Sequence, residues 1–376
     1  MEKRLNLEHL SQAMDTKGLN QATLARALSV SRECVSKWLN NKSFPRPDKL
    51  LHLGKLVGLG FSELVIREEP NAPVVAFRNM RGAKTKDHHI EHAQTMGRML
   101  RHLVPYLTFD DVLSMPPVLK DPRCDYDYLQ QVTGKIRQEI LVGATETIDF
   151  NHLIRHFSRL QAVLIPVLWG DNNQQKNATH IYLPDSQTTW VYLNLDVNMH
   201  DFKFWMAHEL GHCLAPQLRD DDAEDFADTF AGSLLFPHEL ASHAYKKISQ
   251  MASDQAMLDE IIKLAQEHII SPLTVYRQTN FFAQSSGHPL LQLEPQIYKR
   301  ITRFNRAYLN VSRSLFDGAI PPEPVTYKDI VVQTFETPFF TMLGNYLREQ
   351  HKGPGFVQTV MDIPLLDARS LHEALT

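Results

Sequence analysis

Short apolar segments at helical spacing fill the first 65 residues of the chain and predict five short helices. Asn20 and Ser31 stand at the starts of the second and third segments, where a side-chain oxygen can cap a helix. Only a few residues around Ser29 separate these two helices, and that spacing is typical of a helix-turn-helix. The pattern therefore predicts an all-α helix-turn-helix domain over residues 1–66.

The pattern changes after this domain. Residues 67–124 contain several prolines and charges, and they predict a linker followed by one helix. Helical spacing returns from residue 125, and three segments rich in β-branched and aromatic residues then predict strands. These strands cover residues 163–169, 179–183 and 189–194. Helices around a small sheet predict an α+β domain over residues 125–245.

The last third of the chain, residues 246–376, predicts further helices but contains no recognisable motif. Two interpretations stay open for it: a region that senses a signal or holds a partner, and a packing extension of the preceding domain. The predicted fold class is α+β and mostly helical, with an N-terminal all-α domain, a central domain with a small sheet and a helical C-terminal extension.

Composition places the chain among ordinary globular proteins. Its 376 residues are 43% hydrophobic and 22% charged, which is enough to bury cores in two or three domains. No apolar run approaches the roughly 20 residues that cross a bilayer, and the N-terminus opens no signal segment. A cytoplasmic protein without a membrane partner is therefore expected. Cys34, Cys124 and Cys213 are too few and too scattered for a disulfide framework.

Charge is distributed unevenly along the chain. Residues 1–86 contain 15 Lys and Arg against 8 Asp and Glu, a difference of +7, whereas the remainder contains 24 against 35, a difference of -11. A basic first segment on an acidic body is typical of proteins that bind nucleic acid at one end.

The strongest chemical signal is the segment His208-Glu-Leu-Gly-His212. The two histidines are four residues apart on a predicted helix, so both imidazoles project from one face and suit a single tetrahedral zinc ion. Glu209 can reach a metal-bound water from the same side. Zinc lowers the pKa of such a water toward ~7, and Glu209 would take its proton and later deliver it to the leaving amine. The pattern predicts a Zn²⁺ site with Glu209 as the catalytic base.

A third metal ligand follows twelve residues after His212. Glu224 opens an amphipathic helix, and its carboxylate completes a set of two histidines and one glutamate. Asp228 lies four residues further on the same face, where it can accept the spare N–H of a ligand histidine and fix its tautomer. The alternative is that Glu224 and its acidic neighbours only decorate a helix start, where negative charge is favourable.

The segment from Gln21 to Leu39 resembles the Cro/CI family of helix-turn-helix domains, and the resemblance covers nearly all of residues 5–65. Two positions depart from the family pattern. Ser29 stands where the turn usually has glycine, and Leu39 stands where an acidic residue usually follows the tryptophan.

This resemblance implies that the first domain binds a double-stranded DNA operator. Gln21, together with Lys42 or Asn41, would contact phosphate. The residues that would face base edges, where arginine can read guanine bidentately, are Ser31, Arg32, Glu33, Ser36 and Lys37. Binding of a protein instead of DNA stays open as the alternative.

The segment ending at His212, together with Glu224-x-x-Ala-Asp228 and Leu-Leu-x-Pro237, resembles the ImmA/IrrE family of metallopeptidases over about residues 125–245. The resemblance implies a gluzincin-like fold and cleavage of a protein substrate. Characterised relatives cut a helix-turn-helix repressor and so switch on stress-response or mobile-element genes. Fusion of such a peptidase to a Cro/CI domain is a known arrangement in the family.

Two specific motifs in one chain predict a transcriptional regulator that binds an operator, as a homodimer on paired half-sites, and cleaves a repressor, either another protein or a copy of itself. Two alternatives stay open. In one, the zinc site is structural or sensory and has a fourth protein ligand. In the other, the chain is an antitoxin-like regulator that binds a toxin through its acidic C-terminal region.

The sequence leaves alternatives open for two residues around the metal site. Cys213 directly follows His212 and is interpreted as a small buried residue, with a redox-sensitive neighbour of the metal as the alternative. The residue that would stabilise a tetrahedral oxyanion is not identified. Its candidates are Tyr192, His200, His243 and Tyr245.

Overall fold

The computed structural model describes residues 2–40, 42–68, 72–79, 87–107, 117–169 and 176–376. The chain divides into two compact units, Met1–Ala72 and Pro73–Thr376. Within the described residues, every helix is too short or too polar to cross a membrane.

In its described residues, the first unit contains five short helices and two strands. Its elements are β1 (Glu2–Leu5), α1 (Leu7–Thr16), α2 (Gln21–Ala27), α3 (Arg32–Leu39), α4 (Pro47–Val57), α5 (Phe61–Leu64) and β2 (Val65–Glu68). Its core joins one or more apolar residues from every helix, including Leu10, Leu24, Trp38 and Leu53. Asn20 and Ser31 cap α2 and α3 through their side chains, as the sequence predicts.

The prediction that this unit is all-α is wrong in one respect. Strands β1 and β2 pair antiparallel, with Leu5 opposite Val65, and close the two ends of the helical segment against each other. Both residues are buried in the core of the unit. Each strand has four residues, which is too short for alternation to stand out from the adjoining helical pattern.

The turn between α2 and α3 requires a left-handed residue. Ser29 has φ of +51°, and the amide of Val30 donates to the carbonyl of Ala25 while that of Ser29 donates to Arg26. This hydrogen-bond pair forms a Schellman motif, in which glycine is the usual left-handed residue. Ser29 adopts this conformation although it carries a Cβ.

We expect Ser29→Gly to stabilise the first unit by up to about 1 kcal/mol, because a residue with a Cβ is strained in the left-handed region. Amide hydrogen exchange of α2 and α3 in the full chain should slow accordingly. A matched variant, Ser11→Gly in the exposed interior of α1, should instead destabilise by roughly 0.5–1 kcal/mol. Faster exchange in Ser29→Gly would contradict this account of the turn.

The second unit is built around a four-stranded mixed sheet. Its strands are β3 (Val74–Asn79), β4 (Ala162–Val167), β5 (Lys176–Leu183) and β6 (Thr188–Asn194), in the order β3-β5-β6-β4. Only β4 and β6 pair in parallel. Every residue of these two strands is buried, as is typical of strands covered on both faces.

The three strands predicted between residues 163 and 194 are confirmed as β4, β5 and β6. Strand β3 was not predicted, and it lies in the segment that was predicted as a linker. Val74 and Val75 pair with Tyr182 and Ile181 of β5. The strand is therefore stabilised by its partner, whereas the short segment after Pro73 has too weak a pattern of its own to predict a strand.

Helices make up most of the remainder of the second unit. They are α6 (Asp87–Leu100), α7 (Tyr126–Glu139), α8 (Phe150–Arg159), α9 (Met199–Leu214), α10 (Asp220–Leu235), α11 (His238–Ile248), α12 (Asp254–His268), α13 (Pro272–Ser285), α14 (Gln296–Ala307), α15 (Val311–Leu315), α16 (Pro324–Phe335), α17 (Phe339–Glu349), α18 (Pro354–Met361) and α19 (Leu365–Leu375). The protein is thus mostly helical with a small mixed sheet, in agreement with the predicted α+β class.

Residues 246–376 pack into the same core as the sheet. Buried apolar residues of α12 to α19 belong to one continuous cluster with those of β4 to β6. Hydrogen bonds join the parts as well: the Tyr327 hydroxyl donates to the carbonyl of Pro166, and the Tyr192 hydroxyl donates to that of Val360. Of the two interpretations left open for this region, the structure favours a packing extension, which also covers the outer edge of β4.

Candidate metal centre

Helix α9 carries the paired histidines through the middle of the second unit. Nearly all of its residues are buried, including charged and polar ones, so the helix is enclosed on all sides. The C-terminal region holds its first turn in place. Asn198 Nδ2 donates to the carbonyl of Asn305, and His200 Nε2 lies 3.1 Å from Asn305 Oδ1. The position of α9 is therefore fixed by packing and by hydrogen bonds from α14.

His208, His212 and Glu224 come together where α9 and α10 cross. The two histidine Nε2 atoms lie 3.0 Å apart. Glu224 Oε1 is 3.3 Å from His212 Nε2, and Glu224 Oε2 is 3.5 Å from His208 Nε2. Among the described residues, this is the group of three histidine, cysteine or acidic side chains that converges closely enough to share a metal ion.

These distances fit a zinc ion. Ligand atoms about 2.0–2.2 Å from a tetrahedral ion lie roughly 3.3–3.6 Å from one another. The two Nε2 atoms are 3.0 Å apart, and each lies 3.3 or 3.5 Å from one of the two Glu224 oxygens, at or near that range. Two imidazoles and one carboxylate are also the donor types that zinc takes in catalytic sites. The residues present therefore fit Zn²⁺ by geometry and by chemistry.

Gly211 allows the two helices to approach this closely. A Cβ at Gly211 would lie 2.9 Å from the Cα of Ala227 in α10 and 3.2 Å from the ring of Phe230. The backbones of α9 and α10 thus approach each other closely at Gly211, the residue directly before His212. This contact explains how Glu224 reaches histidines on a different helix.

Asp228 orients the first histidine. Its Oδ1 accepts a hydrogen bond from His208 Nδ1 at 2.8 Å, so the His208 Nε2 atom is left to face the metal position. Asp228 lies one turn after Glu224, and the two carboxylates approach the same imidazole from opposite ring nitrogens. The structure therefore brings Asp228 to the place where the sequence predicts it.

The electrostatics of the site favour a cation. Burial raises the pKa of the Glu224 carboxyl, but hydrogen bonds with His208 and His212 outweigh burial and lower the pKa to about 2. Burial lowers the pKa of His208, but hydrogen bonds with Asp228 and Glu224 outweigh it and raise the pKa to about 9. Both shifts have one cause, the closeness of carboxylates to the imidazoles, and the same carboxylates would stabilise a cation at the metal position.

Glu209 is buried beside the metal ligands, and its neighbour His180 is a residue that the sequence analysis missed. His180 Nδ1 lies 3.7 Å from Glu209 Oε2, and its ring centroid is 5.6 Å from that of His212. Burial, together with the nearby His212 and His208, lowers the pKa of His180 to about 3. His180 is therefore neutral at physiological pH and presents a polar ring next to the carboxylate.

No sequence signal marked His180, because it is one histidine within a strand and has no spacing relation to residues 208–224. The pairing of β5 with β6, which sets His180 opposite Val191, determines that it lies under α9. Cys213 is also buried here, 4.0 Å from His180 Nδ1. Burial raises the pKa of the Cys213 thiol, which agrees with its interpretation as a small buried residue.

Three of the four oxyanion candidates have structural partners. Tyr192 donates to Val360 O and Tyr245 donates to Pro289 O. The buried His200 packs edge-on against the rings of Phe304 and Tyr308. These contacts give each of the three residues a role in packing.

The predicted DNA contacts lie on α3 of the first unit or next to it in the chain, except Gln21, which is the first residue of α2. Ser31, Arg32, Glu33, Lys37 and Lys42 are exposed, whereas Gln21 and Ser36 are half-buried. Asn41 lies outside the described residues. The helix therefore presents most of the predicted base-reading residues to solvent.

Three of these residues have partners on the helix or at its start. Ser31 Oγ accepts a hydrogen bond from the amide of Cys34 and so caps α3. Lys37 Nζ lies 2.9 Å from Glu33 Oε1, and hydrogen bonding with Lys37 lowers the pKa of the Glu33 carboxyl. In this arrangement Glu33 offsets the charge of Lys37, and Arg32 is the basic side chain of α3 without that compensation.

Comparison with protein-family models, with curated proteins and with solved structures found no match to this chain. The Cro/CI and ImmA/IrrE resemblances therefore stay predictions from the sequence motifs.

Proposed function

We propose that the second unit is a zinc-dependent endopeptidase and that the protein is a cytoplasmic DNA-binding regulator which cleaves a repressor-type protein. The observation that carries the proposal is the convergence of His208, His212 and Glu224 beside the buried carboxylate of Glu209. A carboxylate that adjoins a metal centre without joining its ligand group is the arrangement that hydrolytic catalysis needs.

In this proposal His208, His212 and Glu224 hold Zn²⁺. When bound, the ion would polarise the scissile carbonyl and lower the pKa of a water molecule. Glu209 accepts the proton of the attacking water at its carboxylate and returns it to the departing amine. Asp228 keeps a proton on His208 Nδ1, and His180 bounds the space in which the Glu209 carboxylate can move.

A structural zinc site is the rival within the same residues. Such sites are closed by four protein ligands. Among the described residues, the metal-binding group contains three protein ligands, and this supports a site with an open coordination position. The antitoxin-like alternative has no comparable observation in its favour.

The proposed peptidase is tested with zinc-loaded protein and the helix-turn-helix repressors encoded beside its gene. We expect mass spectrometry to detect one or a few discrete cuts, which stop on chelation and resume when zinc is restored. Incubation of the protein alone would reveal self-cleavage. Cleavage that persists unchanged in chelator would contradict the proposal.

We also propose that α3 reads an operator and that two copies bind paired half-sites. Two features support this proposal: Arg32 is exposed, and residues 1–86 contain more Lys and Arg than Asp and Glu. Selection from random duplex DNA should therefore recover a two-fold symmetric site with half-sites about 34–36 Å apart.

Arg32→Ala should weaken binding to the selected site by about 1–3 kcal/mol and relax its sequence preference. Lys42→Ala should weaken binding to all sequences. It should also reduce the slope of the logarithm of the binding constant against the logarithm of salt concentration by about one. Fluorescence anisotropy at several salt concentrations measures both effects. Lys55→Ala, an exposed position on α4, serves as the control, and an equal loss in that variant would argue against base reading by α3.

A further inference from the structure

A cavity of about 260 Å³ lies directly beside the proposed metal centre, between α9, α10 and α13. Ligand pockets for drug-sized molecules begin at about 300 Å³, so this cavity suits a single side chain. The lining residues on which its chemistry depends are Asp201, Phe204, Trp205, Asp228, Gln278 and Phe281.

The polar lining of this cavity combines two carboxylates with the hydroxyls of Thr229, Ser271 and Thr274. The side chains of Asp201 and Asp228 line it and each retain 35% exposure. Arg277 is the one cation among the lining residues, and it is exposed. Two carboxylates against one guanidinium leave a net negative charge, which favours a positively charged ligand.

Gln278 adds a third acceptor that is almost completely buried. The residue is 3% exposed, and its Oε1 has no hydrogen-bond partner among the described residues. A buried carbonyl oxygen without a donor is unfavourable, and the residue that carries it lines the cavity. The Gln278 side chain also lies across Gly232, where a Cβ would be 2.3 Å from Nε2.

Aromatic rings supply the apolar walls of the cavity. Trp205 and Phe204 come from α9 and meet edge to face at 5.8 Å between centroids, and Phe281 of α13 is 40% exposed. Aromatic faces attract cations and also cover the aliphatic stem of a long basic side chain. The combination of acceptors and rings therefore matches the several donors and the long stem of arginine or lysine.

The cavity adjoins the ligands of the metal site through two of its own residues. Asp228, in its wall, accepts the hydrogen bond of His208 Nδ1, and the Trp205 ring is 6.1 Å from the His208 ring between centroids. A side chain bound there would belong to a chain segment that passes next to the metal position.

We propose that this cavity is a subsite for a basic side chain of the protein substrate, arginine or lysine, at a fixed position relative to the cleaved bond. The proposal rests on the proposed peptidase function for the identity of the ligand as part of a substrate. The cation-binding chemistry of the cavity does not depend on it.

The binding test uses the zinc-loaded full chain and two probes of nearly equal shape, Nα-acetyl-arginine amide and its uncharged analogue Nα-acetyl-citrulline amide. Calorimetric titration should give saturable binding of the arginine probe, about tenfold or more tighter than the citrulline probe. Asp201→Asn should remove most of that difference. Asp367→Asn, an exposed position on α19, should leave it unchanged. Equal binding of the two probes would overturn the proposal.

The cleavage test uses the same protein and a peptide library derived from a digested proteome, with the cut sites identified by mass spectrometry. Arginine and lysine should be enriched at one position near the cut bond, and Asp201→Asn should reduce that enrichment among the cuts that it makes. Cutting without a basic preference would overturn the proposal, even if the arginine probe binds. A protein that cuts nothing refutes the peptidase function, and the binding test then decides separately whether the cavity takes a cation.

Discussion

Replacement of Glu209 by glutamine is expected to abolish peptide cleavage while zinc stays bound at one ion per chain. The substitution keeps the size of the side chain but removes the group that accepts the proton of the attacking water. The metal ligands His208, His212 and Glu224 are unchanged, so metal content should not fall. A positioned general base contributes about 10²–10⁴-fold to a rate, and a loss in that range or larger is predicted.

The measurement combines single-turnover cleavage of the repressor substrate with metal analysis of the same preparation. Glu373→Gln, an exposed position on α19, is the matched control and should retain full activity. Loss of zinc from Glu209→Gln would mean that Glu209 holds the ion instead of acting as the base. Cleavage at the original rate would refute the mechanism outright.

Glu224→Ala is expected to release the zinc ion. Two imidazoles would remain, and the substitution removes the ligand that supplies the negative charge between the two rings. Changes in groups that only orient a ligand lower metal affinity by about 10–100-fold, so we expect Asp228→Asn to lie in that range and Glu224→Ala to exceed it. Zinc titration against a competing chelator measures both variants.

The neighbours of Glu224 provide a strict control. Asp221, Asp222 and Asp225 lie on the same first turns of α10 and would share any general benefit of negative charge at a helix start. Asp222→Asn should therefore leave zinc affinity nearly unchanged. An equal loss in Asp222→Asn and Glu224→Ala would support the interpretation that these residues only decorate the helix.

Zinc should also stabilise the second unit. An ion that binds the folded chain raises the free energy of unfolding with the logarithm of its concentration above Kd. The melting temperature of the second unit should thus fall on chelation in the unaltered protein. In Glu224→Ala it should respond little to added zinc.

Helical periodicity accounts for what the sequence predicted of the candidate site. His208 and His212 share a face because they are one turn apart, and Glu224 and Asp228 do so for the same reason on the next helix. The crossing of these helices at Gly211 and Ala227 then brings the two faces together. Local spacing therefore predicts which side chains share a face of each helix, and the crossing of the two helices brings these faces together.

The features that the sequence did not reveal depend on contacts between distant segments. His180 reaches Glu209 only because β5 pairs with β6 beneath α9. Strand β1 forms because Leu5 meets Val65, sixty residues away in the chain. Short strands of this kind carry little intrinsic signal, because their stability comes from the partner strand and not from their own pattern.

X-ray absorption at the zinc edge of the zinc-loaded protein, combined with metal analysis, tests most directly whether one ion is shared by His208, His212 and Glu224. We predict one zinc per chain, with nitrogen and oxygen neighbours at about 2.0–2.2 Å, two of them imidazoles, and loss of that signal in Glu224→Ala. A sulfur neighbour at about 2.3 Å, or a zinc environment that is unchanged in Glu224→Ala, would contradict the account.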